Sequence, residues 1–335
     1  MKLYLSILLL FVLFALNIFC GSIDIPAADV LQVLMGRGVA GHESWEFIIL
    51  ENRVPGAVTA LLCGAALATS GLLLQTAFRN PLAGPSILGI DSGANLGVAV
   101  VLLMVGTSVI EPLNNLNNLN IGGYTLVVAA AMLGAMAVMA LLIVISRVLK
   151  STLMLLISGV MISYMVSSLI SLLQFGASEQ GLQNFVVWGL GSFQGVSMDR
   201  LPMFVVLILI GLVCSMLLIK PLDALLLGPE YAQNLGVRPQ RMRQQLLVIT
   251  GLLTATTTAF CGPISFIGLA TPHIARMMGC TTHLRLMPQT MILGSCIALF
   301  CNLLCTIPET TVLPINVMTP LLGAPVILWV MLKGR

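Results

Sequence analysis

Charged side chains are scarce in this chain. Only 8% of its 335 residues are Asp, Glu, Lys or Arg, whereas soluble domains carry about a quarter, because their surface must be hydrated. With 58% hydrophobic residues and a mean hydropathy of +1.06, the chain is suited to a bilayer rather than to water. The basic residues are scattered singly, so no basic stripe indicates a nucleic-acid partner.

Sequence motifs for catalysis and for ATP binding are also absent. The chain has no G-x-x-x-x-G-K-[ST] loop to hold ATP phosphates, no H-E-x-x-H and no G-x-S-x-G. Its longest predicted inner loop has about two dozen residues, too few for an ATPase domain. We therefore predict that the chain is not an enzyme, and that any ATP and Mg²⁺ are used by a separate subunit.

Eight cysteines are present, but no two form a C-x-x-C pair. Cys296, Cys301 and Cys305 lie close in sequence, yet no His is near them to complete a soft-metal site. We interpret the cysteines as apolar filler. The sequence thus predicts no metal site and no cofactor bound by this chain.

Long uncharged apolar runs recur along the chain. A helix rising 1.5 Å per residue needs about 20 apolar residues to cross ~30 Å of hydrocarbon. Phe19 is too large for a signal-peptidase site, so we expect the first run to stay as a span. Gly262-Pro263 should divide the apolar run 246–278 into two short spans, because proline lacks a backbone donor. The sequence predicts ten spans in an all-α, polytopic domain covering 1–335: 3–19, 57–78, 93–109, 124–146, 151–175, 201–219, 246–260, 264–278, 286–307 and 317–332.

The charges in the short loops predict the orientation of the spans. With both termini inside, twelve of the 15 Lys and Arg residues are cytoplasmic, and only Arg37, Arg53 and Arg200 lie outside. Nine of the 12 acids fall outside, so the outer face is acidic. The positive-inside rule then favours a multi-pass membrane protein with both termini in the cytoplasm.

Few ionisable residues lie near the spans. No carboxylate lies within a predicted span, and Asp91-Ser92, just before the third span, is placed where a helix N-cap is expected, so we interpret it as a cap. His273 follows Thr271-Pro272 near an inner helix end and is interpreted as a satisfied interfacial histidine. An ion-coupled secondary transporter, which would need such a residue at membrane depth, remains the alternative from another class.

Two loops carry information of their own. In the loop 222–243, the residues 227–236 predict a short helix, with Pro229 at its first position and Gly236 after its end. From these residues alone it is either a coupling element or a plain connection. The segment 79–93 is rich in Pro and Gly yet apolar, so we expect it to fold back against the bundle. Gly89, Gly93 and Gly97 either line a pathway or permit close helix packing.

The segment 262–288 resembles the F-I-G-L-x-x-P-H-x-x-R-x-x-G and D-H-R-x-x-L-P motifs of the membrane subunits of ABC importers for iron-siderophores, haem and cobalamin. Thr282 and Leu284 replace the usual Asp and Arg of the second motif. Further motifs of that family follow in its order: Arg53-Val54-Pro55, 64–71, Gln75, 79–83, 188–192, the 227–236 helix and 322–325.

This resemblance implies a ten-span type II importer permease that forms a homodimer, binds two copies of a cytoplasmic ATPase and receives a substrate-binding protein outside. It assigns ATPase coupling to Gly228, Glu230, Ala232, Leu235 and Gly236. It places the pathway or gate region around Asn80, Pro81, Gly84, Pro85, Gly89 and Gly93. Arg53 is the expected docking residue for the binding protein, although Gly56 replaces the family's second arginine.

The cargo implied by the resemblance is a bulky metal chelate. Ferric siderophore is our first expectation, with haem or cobalamin as alternatives. The 19 methionines, among them Met132, Met136, Met139, Met161 and Met165, are either an adaptable pathway lining or core packing.

Overall fold

The computed structural model describes residues 2–37, 43–105, 120–149, 151–306 and 313–333, which are mostly helical and contain no strand. This confirms the all-α expectation. Two π-helical segments, Ile48–Arg53 and Val100–Val105, follow α3 and α5. The α-helices in chain order are α1 (Lys2–Phe19), α2 (Ala27–Leu34), α3 (Glu43–Phe47), α4 (Val54–Phe78), α5 (Ile90–Ala99), α6 (Asn120–Val148), α7 (Thr152–Phe175), α8 (Glu179–Gly189), α9 (Leu201–Leu217), α10 (Ile219–Leu226), α11 (Pro229–Asn234), α12 (Pro239–Cys261), α13 (Ile267–Met277), α14 (His283–Thr306) and α15 (Ile315–Lys333).

Each of the ten predicted spans coincides with a helix, although the spans at 93–109 and 286–307 end outside the described residues. Within the described chain, six helices are long and apolar enough to cross a membrane on their own. The pair α9 and α10, bent by 51°, makes a seventh candidate, and Ile90–Met104 is a shorter apolar helix. The structure is therefore that of a polytopic membrane protein.

The predicted break at Gly262-Pro263 is confirmed. Helix α12 ends at Cys261, and Gly262 takes a φ of 77°. The chain then runs without regular structure until α13 begins at Ile267. The eleven residues of α13 extend over about 16 Å, roughly half of the hydrocarbon thickness. This stretch is therefore a short helix preceded by irregular backbone.

Helix α4 forms the centre of the bundle. It lies in a 35-residue helical stretch, Ser44–Phe78, and 89% of the residues in the most apolar part of this stretch are buried. It packs against α14, α12, α13 and α9. Glycines permit this, because a Cβ at Gly64 would lie 2.2 Å from the Gly294 oxygen and one at Gly71 would lie 1.7 Å from the Gly268 oxygen. The backbones of α4, α14 and α13 thus approach one another as small residues allow in membranes.

The glycines of α5 also serve close packing. A Cβ at Gly93 would lie 2.5 Å from the Gly134 oxygen, and one at Gly97 would lie 2.0 Å from the Ala130 oxygen. Both contacts are made with α6, which runs antiparallel to α5. The packing interpretation of this glycine spacing is therefore confirmed.

Helix α1 is attached to the bundle through side-chain hydrogen bonds. The Asn17 amide donates to the Leu299 oxygen at 3.0 Å and accepts from the Asn302 amide at 2.8 Å. The Lys2 ammonium donates to the Met278 oxygen at 2.9 Å. The beginning of α1 therefore lies beside the end of α13, as the predicted topology requires.

Candidate functional site

The short helix predicted between the sixth and seventh spans is present as α11. Gly228 precedes it with φ 121° and ψ 152°, and Pro229 opens it without a missing hydrogen bond, since the first helical amides have no partner. Glu230 lies in its first turn, where a negative charge meets the positive helix end. Gly236 takes a φ of 81°, and the chain leaves α11 there. Both predicted ends of this helix are thus confirmed.

One side of α11 is anchored and the other is exposed. Ala232 is fully buried, and the Val237 amide donates to its oxygen at 2.9 Å, which fixes the end of the helix. Leu227, Tyr231 and Leu235 follow at four-residue spacing and are 65%, 54% and 58% exposed. Tyr231 and Leu235 lie on the same side of α11, because residues four apart share one side of a helix, and Leu227 lies just before it at the end of α10. They form an apolar stripe beyond the end of the bundle, of the kind that marks a protein contact.

Helix α10 joins α11 to the bundle. Only Leu227 and Gly228 separate the two helices. The guanidinium of Arg79, just after α4, donates to the Leu225 oxygen of α10 at 3.0 Å. Arg79 takes a left-handed φ of 48°. The end of α4 therefore lies directly against the segment that leads into α11.

A second link between α10 and α4 runs through a histidine. Asp223 Oδ1 on α10 accepts from the backbone amide and from Nδ1 of His283, both at 2.8 Å. His283 is 1% exposed and is the first residue of α14. Its Nε2 lies 3.0 Å from the Thr76 hydroxyl of α4. One side chain thus connects three helices next to α11.

The residues of the first quoted motif connect α13 to the same end of α4. The Arg276 guanidinium donates to Gln75 Oε1 at 2.6 Å, and the Gln75 amide donates to the Leu269 oxygen at 3.2 Å. His273 Nε2 donates to the Pro81 oxygen at 2.9 Å, which confirms the interpretation of His273 as a satisfied histidine. The motif thus holds a short helix in place.

The segment after α4 folds back into the bundle, as predicted. Asn80 and Pro81 lie just after the C-terminal end of α4, where the Asn80 side chain accepts from the Leu82 amide at 2.9 Å. Gly84, Pro85, Gly89 and Gly93 are buried. Pro85 lies against Gly268 of α13, and Gly89, with a φ of 78°, lies against Ser163 of α7. Five of the six predicted gate residues thus lie along one re-entrant segment, 79–89, and Gly93 lies in the first turn of α5.

This re-entrant segment meets the irregular backbone at 262–266. The two enclose a cavity of about 200 Å³ lined by Pro85, Ser86, Ser265 and Phe266, among others. Phe266 takes a φ of 68°, which is costly for a bulky residue. A Cβ at Gly323 of α15 would lie 2.7 Å from the Phe266 Cβ. Sequence reasoning missed Phe266, because strain is visible only in the backbone.

Arg53 does not lie on the surface. It is 8% exposed, and its guanidinium donates to the oxygens of Ile18, Phe19 and Ile23. The carbonyls at a helix C-terminus lack partners within the helix, so Arg53 satisfies the end of α1. This geometry gives Arg53 a structural task at the end of α1, and its role in docking a binding protein stays a prediction.

The interpretation of Asp91-Ser92 as an N-cap is wrong. Helix α5 begins at Ile90, because Gly89 takes the left-handed conformation and precedes the helix without a side-chain cap. Asp91 therefore falls in the first turn, where it is buried and accepts from the Thr258 hydroxyl of α12 at 2.9 Å. It connects two helices inside the bundle.

Apolar helices of spanning length that pack through close glycine contacts define a polytopic membrane protein. The chain belongs to the FecCD transport family, which matches it over residues 8–333.

Three relatives show the extent of the likeness. The uncharacterized ABC transporter permease protein YvrB of Bacillus subtilis (strain 168) is 33% identical over 327 residues, 95% of this chain and 89% of the relative. The vitamin B12 import system permease protein BtuC of Salmonella typhimurium (strain LT2) is 34% identical over 322 residues, 93% of this chain and 94% of the relative. A solved structure of a metal-chelate type ABC transporter in an inward-facing conformation has a TM-score of 0.84 and 29% identity, covering 99% of both chains.

Proposed function

We propose that this chain is the membrane subunit of an ATP-driven importer that carries a bulky metal chelate inward across the bacterial cytoplasmic membrane. Two copies form the membrane unit, two ATPase subunits bind below it, and a soluble binding protein delivers the cargo from outside. Helix α11 is the observation that carries this proposal. It is a preformed helix with both ends fixed, and it presents an apolar stripe beyond the membrane domain.

A coupling role explains why α11 is ordered. A helix of six residues is marginal in water by itself, and helices this short are stabilised by packing. Here Ala232 packs inward while Leu227, Tyr231 and Leu235 stay exposed. An exposed apolar stripe on such a helix is explained if the ATPase covers it. A plain connecting loop would have no need for it.

The exposed face of α7 supports the homodimer and the pathway. Met154, Ile157, Met161, Tyr164 and Ser168 recur at alternating spacings of three and four residues and are exposed or half-exposed. Such spacing places them on one side of the helix. The Tyr164 phenol is 67% exposed near the middle of this apolar helix, and hydrocarbon would leave its hydroxyl without a partner. A second copy or a hydrated pathway beside α7 would accommodate it.

The cargo we propose first is a ferric siderophore. The α7 face offers thioethers, a phenol and hydroxyls without a fixed charge, which suits a large, neutral or mixed-polarity chelate. Cobalamin is the second candidate, because several relatives that import vitamin B12 are about 34% identical to this chain over nearly its whole length. Haem is the third candidate.

An uptake experiment tests the proposal. A strain lacking this chain is supplied with radiolabelled ferric siderophore, haem or cyanocobalamin in separate cultures, with a complemented strain as control. One chelate should accumulate only in the complemented strain, and a Walker-motif variant of the cognate ATPase should abolish that uptake. Uptake that persists without ATP hydrolysis but depends on a proton or sodium gradient would contradict the proposal and favour an ion-coupled carrier.

A further inference from the structure

We infer that Asp223, His283 and Thr76 form a joint that transmits the movement of α11 to α4 and, through α4, to the re-entrant segment 79–89. This inference rests on the proposed coupling function of α11. It assigns positioning roles to three side chains distant in sequence.

Distances and burial indicate that the joint is rigid. A single oxygen, Asp223 Oδ1, accepts two hydrogen bonds of 2.8 Å from the backbone and the ring of His283. This fixes both the start of α14 and the orientation of the imidazole. The ring is almost completely buried, and its far nitrogen lies 3.0 Å from the Thr76 hydroxyl. Bonds to a charged acceptor are the stronger ones in proteins.

The joint lies between α11 and the core. Leu222, next to Asp223 on α10, is fully buried among Leu72, Leu73 and Met287. The Arg79 guanidinium adds a second polar contact to α10. Helix α10 is thus fixed to α4 and α14 by polar and apolar contacts together, whereas only two residues separate it from α11. A movement of α11 is therefore transmitted to α4 through α10, because no long flexible loop separates α11 from α10.

Contacts beyond Thr76 lead to the gate region. Gln75, which precedes Thr76 on α4, accepts a hydrogen bond of 2.6 Å from Arg276 of α13. Pro81, just after α4, is held by His273 at 2.9 Å. A shift of the inner end of α4 therefore moves the start of the re-entrant segment and α13 together. Those two elements line the cavity beside Phe266.

The test measures amide hydrogen exchange in the full complex with its cognate ATPase, with and without ATP and orthovanadate. Trapped nucleotide is quantified, so that variants are compared at equal occupancy. Thr76→Val keeps the shape of the side chain and removes the hydroxyl, and Asp223→Ala removes the acceptor. Thr76→Ser and Asp223→Asn keep the hydroxyl and the Oδ1 acceptor and serve as matched controls.

In the wild-type complex, trapping should change deuterium uptake in both 226–238 and 79–89. In Thr76→Val and Asp223→Ala the response of 226–238 should remain, while the response of 79–89 should fall to less than half of the wild-type value. The two conservative variants, Thr76→Ser and Asp223→Asn, should keep the wild-type response of 79–89. In the double variant Thr76→Val/Asp223→Ala the loss should equal that of one single variant, because both act through His283.

Two outcomes overturn the inference. One is a full response of 79–89 in Thr76→Val and Asp223→Ala. The other is that the variants change the exchange of 79–89 by the same amount with and without trapped nucleotide. A merely structural contact would give that result. If the wild-type segment 226–238 itself does not respond to nucleotide, the proposed coupling function fails, and this result is distinguishable from failure of the joint alone.

Discussion

Gly236 offers a test of the proposed coupling role of α11 that leaves the membrane bundle untouched. Its φ is 81°, and a Cβ built there would have nothing within 4 Å. A substitution at this position therefore meets no steric obstacle, and its whole cost is conformational. For a β-branched residue in the left-handed region that cost is about 1–2 kcal/mol.

Gly236→Val relieves this strain most easily by unwinding the last turn of α11. A strain of one or two kcal/mol changes the ratio of wound to unwound helix by a factor of roughly 5 to 30. Unwinding displaces Leu235 from the apolar stripe while Ala232 can stay buried. We expect uptake per ATP hydrolysed to fall several-fold, while the amount of protein in the membrane stays normal.

The assay is uptake and ATP hydrolysis measured together in proteoliposomes that contain the complete transporter. Gly36→Val is the matched control, because Gly36 has a φ of 73° and equally open surroundings but lies after α2, in the predicted outer loop. Gly236→Asn is the graded control, since Asn tolerates the left-handed region. Undiminished coupling in Gly236→Val at normal expression would refute the reasoning.

Three further predictions follow from the helix contacts. Gly71→Ala places a Cβ 1.7 Å from the Gly268 oxygen and should lower the free energy of unfolding by about 1–3 kcal/mol. Thermal unfolding in detergent measures this, and Gly84→Ala should have little effect, because its Cβ would have no atom within 4 Å. Arg53→Lys keeps the charge but loses the fork geometry, so it should lower thermal stability; if surface plasmon resonance instead shows weaker docking at unchanged stability, the structural role is wrong. Asp91→Asn keeps an acceptor for Thr258, so ATP-driven uptake should persist; its loss together with a dependence on an ion gradient would favour ion coupling.

Local signals made several elements predictable. The ends of α11 follow from Pro229 and Gly236, whose backbone preferences do not depend on distant partners. The break before α13 follows from Gly262-Pro263 for the same reason. The span positions follow from composition, since any helix in hydrocarbon must satisfy its own backbone.

The roles of Arg53 and Asp91 were not predictable in this way. Both are polar residues at helix ends in sequence, where a solvent-facing or capping role is the ordinary expectation. Their partners lie far away along the chain, at Ile18–Ile23 and at Thr258, and only the packing of helices brings them together. The two-residue difference between a cap at Asp91 and a cap at Gly89 also decides which way the carboxylate faces.

The positions of the motif residues explain why the class of transporter is easier to identify than its cargo. Hydrogen bonds around the C-terminal end of α4 are made by Gln75, Arg79, His273, Arg276 and His283. These bonds hold α13, α10 and α14 in register around the helix that leads into the re-entrant segment. Transporters of different cargoes that share the same ATP-driven movement would require the same arrangement of these helices. The side chains that would meet a chelate lie outside the quoted motifs. Examples are Met161 and Tyr164 on the exposed face of α7. Substitutions on this face should change which chelate is imported.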